Sequence, residues 1–136
     1  MDMNLLEQEL TRDEGVRSKV YYDSLNIPTI GIGRNLRDKG LSPDEISYLF
    51  ANDIKQVCAE LDAHVPWWRN MSDARQRVLC NMCFNLGLNG VLGFVNTLVA
   101  MQQGRYEDAA DGMAKSKWDT QVGARADRLE AMMREG

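Results

Sequence analysis

The stretch "DEGVRSKVYYDSLNIPTIGIGRN", residues 13–35, decides the fold. It runs from two acids through Gly15 into two short runs of β-branched and aromatic residues, divided by a turn-rich Asp-Ser-Leu-Asn-Ile-Pro. That pattern predicts a β-hairpin. Upstream, Leu5, Leu6 and Leu10 recur at helical spacing and Gly15 supplies a stop, so a helix is predicted over about 3–14. Glu14 then sits at a helix C-terminus, where unpaired carbonyls disfavour a negative charge and suit a proton donor. Asp23 and Thr29 lie six apart with Asn26 midway. A turn centred on Asn26 makes them cross-strand neighbours, with Cβ atoms roughly 4.5–5.5 Å apart. A carboxylate beside a hydroxyl can hold one water, the acid taking its proton while the hydroxyl sets its direction. Two carboxyl groups with such a water between them, roughly 6.5–9.5 Å apart, form the apparatus of an inverting glycosidase. The same residues also fit solvated acids at a helix end and an Asp whose side chain closes a turn.

Outside this stretch the chain reads as helical. Ser42, Pro43 and Glu45 form an N-cap, a first helical position and a capping box. Ile46, Leu49, Phe50, Ile54, Val57, Cys58 and Leu61 follow as the stripe of one long amphipathic helix, about 42–62. Ser72 caps another helix, with Val78, Leu79, Met82, Cys83 and Leu86 as its buried side and Gly87 as its stop. "LNGVLGFVNTLVAMQQG" reads as one or two deeply buried helices, and "RYEDAADGMAKS" and "GARADRLEAMMREG" as two more. The expected fold is α+β, mainly α, in a single domain. A small antiparallel β-lobe (about 12–40) is joined by the long helix to a helical lobe (about 63–136, plus the helix 3–14).

The 136 residues carry 44% apolar and 26% charged side chains, ordinary for a globular protein. No apolar run approaches the roughly 20 residues a membrane span needs. "MDMNLLEQELTRDEG" has neither a basic nor an apolar leader region, so the chain is expected to be made and folded in the cytoplasm. Cys58, Cys80 and Cys83 suggest no disulfide framework, and the Cys80–Cys83 pair sits within a helical pattern as core. His64 is the only histidine, which excludes a histidine-rich metal site. Gly31 and Gly33 lack the third glycine or lysine of a phosphate loop, and a net charge of −4 without a basic stripe disfavours nucleic acid.

At Glu14-Gly15, Asp23 and "TIGIG" from Thr29 the sequence resembles the phage-type lysozymes, the T-even phage muramidases of glycoside hydrolase family 24. The likeness continues through "LSPDEISYLFANDI", "RVLCNMCFNLGLNGVLGFVNTL" and "AKSKWDTQVGARADR", so it covers essentially the whole chain. It implies a two-lobed lysozyme-like fold and cleavage of the β-1,4 bond between N-acetylmuramic acid and N-acetylglucosamine in bacterial peptidoglycan, with inversion. Glu14 becomes the acid that protonates the leaving oxygen, while Asp23 activates or electrostatically supports, and Thr29 holds, the attacking water. Asn85 and Gln121 become cleft-lining amides, Arg125 the arginine that approaches the glutamate, and Trp118 a wall of the C-terminal lobe, core rather than sugar platform. No metal or cofactor is implied. The resemblance further implies a monomer without stable membrane association, held in the host cytoplasm until a holin-like pore admits it to the periplasm and wall. Alternatives are a lytic transglycosylase, which the retained Asp23 and Thr29 disfavour, and a catalytically silent wall-binding module.

Three features depart from the family pattern. Arg34 stands where a histidine often follows Gly-Ile-Gly, and an Arg34–Asp53 ion pair is expected in its place. Only "NLRDKG" separates Arg34 from the long helix, which shortens the β-lobe. The total charge is acidic, but unevenly so. Residues 12–40 hold six basic against four acidic side chains, 115–128 four against two, and 41–62 one against five. The segments expected at the cleft are the positive ones.

Overall fold

The structure, a computed structural model, describes residues 1–136. In chain order it contains α1 (Met3–Glu14), β1 (Arg17–Tyr22), β2 (Pro28–Gly31), β3 (Arg34–Asn35) and α2 (Pro43–His64). A 3-10 turn (Trp68–Asn70) then leads to α3 (Asp73–Leu92), α4 (Val95–Gln102), α5 (Tyr106–Ala114), α6 (Lys117–Val122) and α7 (Ala124–Glu135). This is the expected mainly helical α+β architecture. Two compact units divide the chain, Met1–Tyr48 and Leu49–Gly136.

In the first unit, Asp2 caps α1 by accepting from the Leu5 amide, and Gly15, at φ 75°, ends it. The sheet is antiparallel in the order β1-β2-β3, with Tyr21 opposite Thr29 and Thr29 opposite Asn35. Arg34 fixes the end of this sheet to the start of α2. Its guanidinium meets both Glu45 carboxylate oxygens at 2.7 Å and donates to the Gly40 carbonyl at 3.1 Å. The expected partner was Asp53, and the structure corrects this. Glu45 is the closer acid in the chain, and the capping box already orients it, because it accepts from the Ser42 amide at 2.9 Å. A planar guanidinium then pairs with it two-pronged. Asp53 lies in the second unit, on the wall of an open groove with Gln56, Glu60 and Phe84.

In the second unit, Leu61, Val78, Leu79, Met82, Val91, Met101, Met113 and Met133 fill a continuous core. The α2 stripe is buried only at its far end: Leu61 is fully buried, Val57 and Cys58 partly, while Ile46, Leu49, Phe50 and Ile54 are exposed. Gly87 leaves helical geometry as expected (φ 76°, ψ 165°), but the chain re-enters a helix at once, so α3 continues kinked to Leu92. Nor is α4 buried all round: Thr97, Ala100 and Met101 face inward and Val95 and Val99 face out. No single helix is long and apolar enough to cross a membrane. Arg75 closes the far end of the core, donating to the Met133 and Arg134 carbonyls at the end of α7 and stacking 3.5 Å over the Tyr106 ring. Cys83 is buried in the core, while Cys58 and Cys80 are partly buried against it. Burial, and then the neighbouring Cys58, push Cys80 up to about 12, and all three cysteines are free.

The Arg34 hydrogen bonds, followed by those of Ser42, hold the Glu45 carboxyl down at about 2. A carboxyl depressed on folding stabilises fully above its ordinary value near 4.5 and loses that contribution as pH falls towards 2. Glu45→Gln is therefore expected to lower the melting temperature at neutral pH and to flatten the acid limb between pH 4.5 and 2. Thermal melts of both proteins across that range check it, and identical acid limbs refute it.

Candidate active site

Glu14 ends α1 with its side chain exposed. Its carboxylate makes no hydrogen bond or ion pair within its unit and lies against Gly33, where a Cβ would come within 2.7 Å of Glu14 Oε2. Gly33 also has φ 68°, a conformation that disfavours any other L residue. Gly15 caps the helix as expected, with open space around it, and the second glycine of Gly-Ile-Gly makes room for the acid.

Asp23 and Thr29 are brought together by one residue, Ile27. Asp23 Oδ1 accepts from the Leu25 and Ile27 amides at 2.8 and 2.9 Å, while the Asp23 amide donates to the Ile27 carbonyl. Thr29 Oγ1 donates to that same carbonyl at 2.9 Å. Thr29 is 4% exposed, so its hydroxyl direction is fixed by packing as well as bonding. The pairing differs from the expected one. Thr29 faces Tyr21, Asp23 faces Ile27, and the turn centres on Leu25 rather than Asn26. Asp23 and Thr29 are therefore diagonal neighbours on one face of the ladder. The turn shifts because the Asp23 side chain gathers two amides and Asn26 takes the left-handed conformation, φ 58°. The turn-closing and water-holding readings of Asp23 are compatible: Oδ1 is occupied by amides, and Oδ2 receives no hydrogen bond from the protein.

The other site residues lie in the second unit. Asn85, exposed on α3, accepts from the Trp118 indole at 2.9 Å. Trp118 is buried edge-to-face against Phe94, a core anchor rather than a platform. Gln121 projects exposed one turn further along α6. Arg125 donates from Nε to Asn81 Oδ1 at 2.8 Å on the wall of an open groove of about 560 Å³ floored by Phe50, Ile54 and Phe84. Helix α6 itself was not anticipated, though Ser116 and Asp119 carry its cap: Ser116 Oγ accepts from the Asp119 amide.

Asp23→Asn keeps a carbonyl oxygen for the turn amides, whereas Asp23→Ala removes two hydrogen bonds. Denaturant unfolding is expected to place Asp23→Ala about 1–3 kcal/mol below wild type and Asp23→Asn within about 1 kcal/mol of it. Equal losses would remove the turn-closing role.

A family model described as phage lysozyme matches residues 11–134. The pre-baseplate central spike protein Gp5 of Enterobacteria phage T4 is 31% identical, over 99% of this chain and 28% of its own length. The endolysin of Salmonella phage P22 is 32% identical over 75% of this chain and 73% of its own. A probable T4-type lysozyme of Dictyostelium discoideum is 25% identical over 93% and 70%. The chain thus spans little more than a quarter of the spike protein and about seven-tenths of the other two. With the family model running from the end of α1 to the end of α7, the chain belongs to the phage lysozyme family.

Proposed function

We propose that the chain hydrolyses the β-1,4 bond between N-acetylmuramic acid and N-acetylglucosamine in bacterial peptidoglycan, with inversion at the anomeric carbon. The carrying observation is the shared anchoring of Asp23 and Thr29 on Ile27, which leaves one carboxylate oxygen and the hydroxyl lone pairs for a water. Thr29 gives its proton to the Ile27 carbonyl, so towards a ligand it acts as an acceptor. A water donating to both Asp23 Oδ2 and Thr29 Oγ1 keeps its lone pair directed outward. Protonated Glu14 gives its proton to the glycosidic oxygen as the C–O bond breaks. The water then attacks the anomeric carbon from the opposite face, and Asp23 takes its proton. Asn85, Gln121 and Arg125 bind the sugar chain, and the reaction needs no metal or cofactor.

The biological setting that fits is host lysis: a monomeric enzyme held in the host cytoplasm until a holin-type pore opens the way to the wall. A second setting, muramidase action within a central spike, is favoured by the alignment with the spike protein over 99% of this chain. Sedimentation and fractionation of purified virions separate the two.

Turbidity clearing of permeabilised Gram-negative cells is expected to fall about 10²–10⁴-fold in Glu14→Gln, with the fold intact by circular dichroism. Products should carry free reducing ends of inverted anomeric configuration. Anhydro ends would establish a transglycosylase, and uncut wall would leave only a binding module. Gly33→Ala displaces the Glu14 carboxylate and is expected to cost about 10²-fold in rate. Wild-type activity in that variant would contradict the assignment of Gly33.

A further inference from the structure

Where α6 meets α7, one carboxylate oxygen from each of Asp119, Asp127 and Glu130 lies within 4.8 Å of the others. Glu130 Oε1 is wholly buried and has no hydrogen-bond partner. No basic side chain forms an ion pair with the cluster, and Arg128, between Asp127 and Glu130 on α7, is exposed and makes none. On α7, Arg134 is committed to Glu107 and Asp111 of α5, the latter at 2.7 Å. On α3, Arg75 is committed to the α7 carbonyls and the Tyr106 ring, and Arg77 pairs with Asp73. Lys115 and Lys117, flanking the start of α6, are exposed and make no bond to the cluster. Three carboxylates this close, one of them with a buried oxygen, cannot all be ionised without strong repulsion.

We propose that Glu130 and Asp119 share one proton, and that this carboxyl–carboxylate hydrogen bond is a pH-sensitive clamp holding α6 against α7. Glu130, protonated, donates to the ionised Asp119, and on titration the proton passes to solvent and leaves two facing anions. Helix α6 has only six residues and is otherwise held by the Ser116 cap, by Val122 against the core and by the buried Trp118, which bonds to Asn85 and packs on Phe94. Losing the clamp therefore loosens the segment that carries Trp118 and Gln121. Burial, and then the contact with Asp119, push Glu130 from an ordinary 4.5 up to about 7, with Arg134 opposing. A carboxyl raised on folding stabilises fully below its ordinary value and loses that contribution as pH rises to about 7. The clamp is thus closed in mildly acidic surroundings and open above neutrality. Its consequence for substrate rests on the proposed function, but its test does not.

The test follows the Trp118 indole N–H and the Glu130 side-chain carboxyl carbon by NMR on the full chain, from about pH 5.5 to 8.5. Wild type is expected to show one shared midpoint near neutrality, with α6 amides exchanging about tenfold faster above it than below, after correction for the intrinsic pH dependence. In Glu130→Gln the side-chain amide donates to Asp119 at every pH. Its Trp118 signal should stay at the low-pH position and its α6 exchange should not change with pH. Asp119→Asn, whose amide donates to ionised Glu130, should behave alike and serves if Glu130→Gln does not fold. A flat wild-type titration, or an unchanged transition in either variant, overturns the proposal. So does a midpoint that moves on adding calcium chloride, which would assign the cluster to a cation.

Discussion

The Glu14 carboxylate occupies the space that a side chain at residue 33 would fill, and this steric constraint sets the end of α1 against the hairpin. An acid at the end of a helix is ordinarily free to sweep through solvent. Here the hairpin backbone comes up beneath it, because Gly33 has no Cβ and its φ of 68° turns the chain there. The acid is therefore placed by main chain rather than by a partner side chain. Its carboxyl group stays clear of hydrogen bonds within the unit, as a proton donor to an incoming oxygen requires.

The opposite strategy governs Asp23 and Thr29. Both are tied to the backbone of Ile27, one through its amide and the other through its carbonyl. Ile27 is itself among the few buried residues of the first unit, so the two polar groups share a foundation set by apolar packing. Each keeps one valence for a ligand after satisfying the turn. The threonine can no longer donate, and the aspartate has an oxygen to spare. A turn built this way does local structural work with half of each side chain and leaves the other half for chemistry.

What the sequence disclosed follows from how local each signal is. Caps and stops depend on residues a few positions apart, so α1, the α2 capping box and the Gly87 break were all legible. The hairpin was legible too, but not its centre. Moving the turn by one residue requires knowing that the Asp23 side chain would gather two amides and that Asn26 would accept a positive φ. The Arg34 pairing was misjudged through reliance on a partner eight residues too far along α2, when the capping-box glutamate was already oriented for it. Helix α6 escaped notice because six residues show too little periodicity, although its Ser116 cap was in view. The room Gly33 makes for Glu14 connects residues 19 apart, and no local pattern reveals such a contact.

The first unit buries little: Ile27 and Thr29 are its only buried residues. A unit of this size cannot take most of its order from an apolar core. It takes it from polar anchors instead: two amides on Asp23, the bidentate Arg34–Glu45 pair with its bond to Gly40, and the capping box at Ser42. These anchors overlap the proposed catalytic set at Asp23 and adjoin it at Arg34, one residue from Gly33. Truncating Asp23 therefore disturbs structure and chemistry together, and loss of activity in such a variant says nothing about which was lost. Substitutions that preserve the acceptor while removing the charge separate them, because the turn reads only an oxygen whereas proton abstraction needs a carboxylate.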